Sequence, residues 1–232
     1  LISYRFVSAF ELFRDCSYIH ADIKPDALFI DSVNSLCAII DYDSGVVVLN
    51  PTDRPTTLGT EQDWLAPELF DQISLAKQQQ LNTNKPITVS VDLFADMWSV
   101  AIGIHYILFT FHPLFFLTEL TTRSTNQYLD NYKFPNIAKQ FPFFEEEYEE
   151  TYDDYHNYFN NGLPIVLKDK FAATINSGYR ERTNRVSFTQ WRLVIESILN
   201  KKVKILSFFP THPSCERPIF EYHANRLWNP MY

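Results

Sequence analysis

Two acidic loops on either side of a predicted hairpin carry the residues best suited to chemistry. Asp22 and Lys24 come just before the hairpin at 28–40, and Asp41 and Asp43 follow it. A hairpin sets the loops at its two open ends side by side. Carboxylates and an ammonium group on neighbouring loops suit a divalent metal ion and a phosphorylated ligand. A polar hairpin with ordinary solvated charges accounts for this stretch equally well.

The elements that position these loops can be predicted from the apolar pattern. Within 1–19 the apolar side chains have a nearly helical spacing: Phe6, Val7, Phe10, Phe13 and Cys16. This spacing predicts a helix that leads into the first loop. Residues 28–30 and 36–40 read as the hairpin strands, with a turn at 31–34, and 46–49 as a short strand after the second loop.

The most apolar stretch, 96–117, contains no Asp, Glu, Lys or Arg after its first residue and is long enough to span a membrane. However, His105, His112 and Pro113 interrupt it, and no basic cluster flanks it. A helix that is apolar all round can also be the centre of a large domain. We therefore predict a core helix, no membrane span, and histidines that pack in the core.

Composition limits the class of protein. With 232 residues, of which 46% are hydrophobic, the chain can bury one sizeable core. Its net charge of −8 argues against nucleic-acid binding. The three cysteines, Cys16, Cys37 and Cys215, are scattered and odd in number, which indicates a reducing, cytoplasmic location without a disulfide framework or zinc site.

Residues 20–27, His-Ala-Asp-Ile-Lys-Pro-Asp-Ala, resemble the catalytic loop of eukaryotic-type protein kinases, His-Arg-Asp-Leu-Lys-Pro-Glu-Asn. Residues 41–43, Asp-Tyr-Asp, resemble the metal-binding Asp-Phe-Gly of the same family. The resemblance implies that Asp22 orients the acceptor hydroxyl and accepts its proton, while Lys24 neutralises charge on the moving phosphoryl group. It also implies that Asp41 binds Mg²⁺ on the phosphates of ATP.

Three further matches follow in the kinase order. Residues 59–68, Gly-Thr-Glu-Gln-Asp-Trp-Leu-Ala-Pro-Glu, resemble the end of an activation segment, 96–99 the start of the central helix, and 185–187 the Arg-Pro-Ser/Thr motif. Supporting roles are therefore implied for His20, Thr60, Glu68, Asp96 and Arg185.

Each supporting role implies a contact. Thr60 would bridge to the catalytic-loop Asp and Lys, and Asp96 would accept backbone hydrogen bonds from that loop. Glu68 would pair with Arg185, because a buried carboxylate without a partner costs several kcal/mol. The alternative for Glu68 and Arg185 is two unrelated surface charges.

Some positions depart from the family pattern. Ala27 stands where an asparagine supplies the second metal ligand, and a methyl group cannot coordinate Mg²⁺. Asp26 and Asp43 are the candidates to compensate. Ala21 replaces the arginine that grips a phosphorylated activation loop, so switching by that route is not expected.

The resemblance covers the large lobe alone, because the five glycines form no Gly-rich loop. The predicted fold is mainly α: a protein-kinase-like C-terminal lobe over 1–200, with a small β-hairpin carrying the catalytic and metal loops. Insertions are expected at about 71–91 and 119–162, and a tail at 201–232. A small lobe is expected upstream or from another source, and the isolated chain is expected to be inactive.

The resemblance to protein kinases leaves two functions open. The first is an ATP-dependent serine/threonine protein kinase acting on a protein substrate. The second is a pseudokinase, in which the fold serves as a binding or regulatory module without phosphate transfer. The segment 141–159 is acidic and aromatic, and such a charge run is usually a solvated helix face. The alternative is a docking surface for a basic partner.

Overall fold

The computed structural model describes residues 1–50, 52–53, 62–83 and 89–200. This part of the chain is mainly helical, which confirms the predicted class at that level. Its α-helices are α1 Ile2–Asp15, α2 Pro67–Thr83, α3 Leu93–Phe109, α4 Thr122–Asn131, α5 Glu149–Asn161, α6 Ile165–Ala172, α7 Gly178–Arg180 and α8 Phe188–Asn200. The predicted tail at 201–232 lies outside the described residues.

Four short strands form two antiparallel pairs. The predicted hairpin is present as β2 (Leu28–Asp31) and β3 (Leu36–Ile39). Its turn is held by the Asp31 carboxylate, which accepts hydrogen bonds from the backbone N–H groups of Val33 and Asn34, both at 3.0 Å. The second pair was not predicted: β1 (Tyr18–Ile19) lies against β4 (Val46–Val47), which is shorter than the expected strand at 46–49.

Helix α3 runs through the core, and every residue from 95 to 105 is buried. It begins after Asp92, whose carboxylate accepts a hydrogen bond from the Phe94 N–H at 3.0 Å, and it ends at Thr110, which has a φ of 69°. The core helix predicted within 96–117 is therefore present. Of the helices described, none combines the length and the apolar character that crossing a bilayer requires.

Helix α1 packs directly on α3 at Gly103. A Cβ at this glycine would lie 2.9 Å from two ring carbons of Phe6, so the two helices approach too closely for any side chain there. Phe6, Val7 and Phe10 are fully buried, as the helical spacing predicted. Cys16 is exposed instead, because α1 ends at Asp15 and the chain turns at Ser17, which has a φ of 55°.

The buried His105 ties α3 to α5. Its Nδ1 lies 2.9 Å from the Phe111 carbonyl, and its Nε2 lies 2.9 Å from the Tyr155 hydroxyl. A carbonyl can only accept, so Nδ1 carries the hydrogen and Nε2 accepts from the tyrosine. Burial lowers the pKa of His105 to about 3, which keeps the ring neutral. The histidine is thus a packing residue with both nitrogens satisfied.

Replacing Tyr155 with phenylalanine is expected to lower the free energy of unfolding by about 1–2 kcal/mol, because the buried Nε2 of His105 loses its donor. Urea denaturation of the variant and the parent measures this loss. Tyr132→Phe is the matched control, since Tyr132 is only half-buried, and it should change stability by less than half as much. Equal effects from the two variants would contradict the role given to the Tyr155 hydroxyl.

The segment 141–159 folds into a 3₁₀ turn followed by α5. Tyr152, Tyr155 and Phe159 face the core, whereas the acidic residues of α5 are exposed. Lys139 lies 2.6 Å from Glu149 and 2.7 Å from Asp153, so part of the negative charge is matched within the chain. The arrangement is that of a solvated helix face, and a basic partner for it stays a prediction.

Candidate active site

The two acidic loops are held together by backbone structure. The β1–β4 pair joins the start of the first loop to the end of the second, with Ile19 opposite Val46. At the other end, the Ile40 N–H donates to the Ala27 carbonyl at 2.9 Å. The loops that the sequence placed on neighbouring hairpin ends are therefore adjacent.

Asp96 fixes the shape of the first loop. One carboxylate oxygen accepts from the backbone N–H of His20 at 2.8 Å, and the other accepts from that of Ala21 at 3.1 Å. Burial raises the pKa of Asp96 to about 7. The two hydrogen bonds favour the ionised form and lower the pKa, but their effect is smaller than that of burial. Ala21 has a φ of 59°, a costly conformation for a residue with a side chain, and the paired hydrogen bonds help to hold it.

His20 connects the two loops through its ring. Its Nε2 lies 3.1 Å from the Ile40 carbonyl and therefore donates, while its Nδ1 accepts from the Asp22 N–H at 3.3 Å. Burial lowers the pKa of His20, and the negative charges of Asp22 and Asp41 act in the opposite direction. Both carboxylates thus lie close enough to influence the same buried ring.

Asp22 and Lys24 form a close ion pair at the centre of the first loop. The ammonium nitrogen of Lys24 lies 3.0 Å from each carboxylate oxygen and donates a hydrogen bond to Oδ2. Asp22 is only 4% exposed, and its Oδ1 has no hydrogen bond among the described residues. Oδ1 is therefore in contact with the ammonium group without a directed hydrogen bond, and a carboxylate oxygen can accept a further one.

The second loop presents its acids to solvent. Asp41 is exposed and has a φ of 61°, so a residue other than glycine is held in the left-handed region here as well. Strained backbone of this kind clusters at functional sites. Five residues other than glycine have a positive φ in the described part of the chain, and two of them, Ala21 and Asp41, lie in these loops.

The fit to a metal ion is partial. Asp41, Asp26 and Asp43 are all exposed carboxylates, which are suitable Mg²⁺ ligands by chemistry. Ala27 is fully buried and offers only a methyl group. Within the described ranges, no group of three or more His, Cys, Asp or Glu side chains is placed to hold a metal. Compensation by Asp26 or Asp43 stays a prediction.

The predicted pairing of Glu68 with Arg185 is present. The guanidinium donates to both carboxylate oxygens of Glu68, at 2.7 and 2.5 Å, and also to the carbonyls of Phe94 and Gly178, both at 2.8 Å. The Arg185 side chain is completely buried and lies 5.4 Å from the Trp98 ring. This pair anchors the start of α2 to α3 and to the loop before α8.

Thr60, the remaining predicted support residue, lies outside the described residues. Sequence reasoning also missed two contacts. The Ser99 hydroxyl donates to the Trp64 carbonyl at 2.8 Å, which fastens the segment before α2 to α3. The Tyr18 hydroxyl donates to the Tyr42 carbonyl at 3.1 Å, which links β1 to the 3₁₀ turn before β4. Ser99 belongs to the motif at 96–99, so a signal existed for that contact, but Tyr18 stands in no motif.

Comparison with known proteins gives no independent identification. No protein-family model matches the chain. No curated protein matches it either. The geometry of the two loops, and of the residues that hold them, is therefore the basis for proposing a function.

Proposed function

We propose that this chain is the large lobe of an ATP-dependent serine/threonine protein kinase. The supporting observation is the pairing of Asp22 with Lys24 on a loop whose backbone is fixed by Asp96. Phosphoryl transfer depends mainly on positioning and electrostatics, and such a loop provides both. Bound ATP would supply the phosphoryl group, and Mg²⁺ would neutralise charge on it.

The chain's own residues have distinct tasks in this proposal. The Oδ1 of Asp22 lies 3.0 Å from the Lys24 ammonium nitrogen but accepts no hydrogen bond among the described residues. In this proposal it accepts a hydrogen bond from the acceptor hydroxyl and then its proton. Lys24, beside it, stabilises negative charge on the transferred group. Asp41 would hold Mg²⁺ from the second loop, and the His20 ring keeps that loop against the first.

A pseudokinase is the second candidate, and two observations favour it. Lys24 contacts both oxygens of Asp22, so the acidic group is largely neutralised. Ala27 supplies no second metal ligand. In this alternative, the Glu68–Arg185 and Asp96 contacts preserve the fold for binding, and no phosphate is transferred.

Asp22→Asn is expected to reduce phosphate transfer by at least about 100-fold, because the amide cannot accept the hydroxyl proton. The experiment uses the protein expressed from its full coding sequence, labelled ATP, and Mg²⁺ or Mn²⁺. Asp130→Asn is the matched control, since it removes an exposed carboxylate and should leave transfer unchanged. Undiminished transfer by Asp22→Asn would overturn the proposal. Absence of transfer from the parent protein with either metal would favour the pseudokinase.

A further inference from the structure

Tyr18 reaches from the strand before the first acidic loop to the backbone of the second. It is the first residue of β1, and its hydroxyl donates to the Tyr42 carbonyl at 3.1 Å. The same carbonyl accepts from the Gly45 N–H at 3.2 Å, which closes the 3₁₀ turn at 42–44. One acceptor therefore joins the turn that follows Asp41 to the strand that leads into the first loop.

The ring of Tyr18 is held by aromatic neighbours from three elements. Its centre lies 5.2 Å from that of the Phe13 ring on α1, 6.2 Å from that of His20, and 6.1 Å from that of Tyr42. Burial raises the pKa of Tyr18 to about 12, and the negative charges of Asp96 and Asp43 act in the same direction. The hydroxyl therefore keeps its hydrogen at neutral pH and can donate it.

Gly45 leaves the space that the Tyr18 hydroxyl occupies. Its backbone has a φ of −80° and a ψ of 165°, an extended conformation that any residue adopts, so the backbone does not require glycine here. A Cβ at this position would lie 1.8 Å from the Tyr18 hydroxyl oxygen and 2.3 Å from its Cζ. Glycine is therefore needed because the tyrosine lies directly on the backbone of the second loop.

The backbone of Asp41 needs support of this kind. Its φ of 61° is costly for a residue with a side chain, and such a conformation persists only where the surrounding structure holds it. On the hairpin side, the Ile40 N–H donates to the Ala27 carbonyl at 2.9 Å. On the other side, the Tyr42 carbonyl accepts from Tyr18. Tyr18 thus restrains the side of Asp41 that the hairpin does not.

We propose that Tyr18 is a positioning residue for the second acidic loop. Its hydroxyl, in the space that Gly45 leaves, sets where Asp41 stands relative to Asp22. Groups that act together must be held within a fraction of an ångström by contacts behind them, and Tyr18 supplies such a contact. The position of the loop can be tested without catalysis, and only the kinetic test below rests on the proposed function.

Tyr18→Phe removes the hydroxyl and keeps the ring. We expect amide hydrogen exchange over residues 41–47 to become about fivefold faster, because opening the turn no longer breaks this hydrogen bond. Mass spectrometry of the protein expressed from its full coding sequence measures the exchange. The hairpin peptide 28–36 is the internal control, and Tyr132→Phe, at a half-buried tyrosine outside the loops, is the matched variant. Exchange over 41–47 that equals the parent's would overturn the proposal.

A pair of substitutions tests whether Gly45 acts through Tyr18. Gly45→Ala should speed exchange over 41–47 at least about tenfold, because the new Cβ displaces the whole tyrosine side chain. In a Tyr18→Ala background the same substitution meets no ring and should add less than about twofold. Equal effects in the two backgrounds would overturn the proposal. If a variant of this pair fails to fold, the exchange of Tyr18→Phe still decides it.

Kinetics separate positioning from a general loss of stability. The proposed function assigns ATP to the second loop and the acceptor hydroxyl to the first. Tyr18→Phe should therefore raise the KM for ATP about fivefold and leave the KM for dephosphorylated casein, the acceptor probe, unchanged. A loss of folded protein would instead lower kcat and leave both KM values unchanged. That result, or equal rises in both KM values, would overturn the proposal. If the parent protein transfers no phosphate, the proposed function fails, and the exchange experiments decide the role of Tyr18.

Discussion

Arg185→Ala is expected to lower the free energy of unfolding by about 3–5 kcal/mol, because it leaves the Glu68 carboxylate without its buried partner. The carbonyls of Phe94 and Gly178 lose their donor at the same time. The arginine is fully buried, so solvent cannot screen the loss. Urea denaturation at neutral pH measures the change.

The control for this prediction is Arg180→Ala, which breaks an ion pair with Asp130 whose two side chains are 58% and 57% exposed. Exposed pairs contribute little, so its effect should stay below about 1 kcal/mol. The double variant Glu68→Gln with Arg185→Met should lose less than the sum of its single changes. Additive losses would mean that the two side chains do not stabilise each other.

A substitution at Gly178 should also disturb Arg185. A Cβ on Gly178 would lie 2.7 Å from the Cγ of Arg185, which is the base of a buried side chain and cannot simply move aside. Gly178→Ala should therefore displace the guanidinium and weaken the pair without removing any charged group. This explains in physical terms why glycine occupies this position.

Asp96→Ala is expected to lower the free energy of unfolding by about 3–5 kcal/mol at pH 5, because two buried backbone N–H groups lose their acceptor. The loss should depend on pH. The pKa of Asp96 is raised from 3.8 to about 7 in the folded protein, so its stabilising contribution is full below pH 3.8 and declines as the pH rises to 7. The difference between parent and variant should be roughly 2–3 kcal/mol smaller at pH 8 than at pH 5.

Denaturation at pH 5 and pH 8 tests both parts of this prediction. Asp15→Ala is the control, since it removes an exposed carboxylate at the end of α1. Its effect should be small at both pH values. A loss for Asp96→Ala that grows from pH 5 to pH 8 would show that the carboxylate, once ionised, stabilises the loop more than burial costs it.

The long-range contacts were the most predictable part of the site. Glu68 and Arg185 are 117 positions apart, and Asp96 lies 76 positions from His20, yet both contacts followed from short motifs. A motif preserves a set of contacts whatever the length of chain between its parts. The roles of Asp22, Lys24 and Asp41 stay predictions, because geometry alone does not report chemistry.

Other structural features could not be predicted from the local sequence. The strand β1 has two residues, which is too short for an alternating pattern, and nothing in the sequence paired it with the strand predicted at 46–49. Cys16 continued the apolar spacing of α1 but lies beyond its end, because the helix stops where the chain turns at Ser17. The buried indole N–H of Trp98 has no hydrogen-bond partner among the described residues, and no sequence pattern predicts this.

The β1–β4 pair has a consequence for the motion of the site. In the described part of the chain the ladder pairs Tyr18 with Val47 and Ile19 with Val46, and a hydrogen bond from the Val48 N–H to the Ser17 carbonyl at 2.8 Å extends it. Residues 20–45 lie inside the stretch that it closes. Such a segment opens as one cooperative unit when its weakest closure gives way. Deuterium should therefore enter the amides of Ile19 and Val46 at a common rate, and both acidic loops should become accessible in a single event.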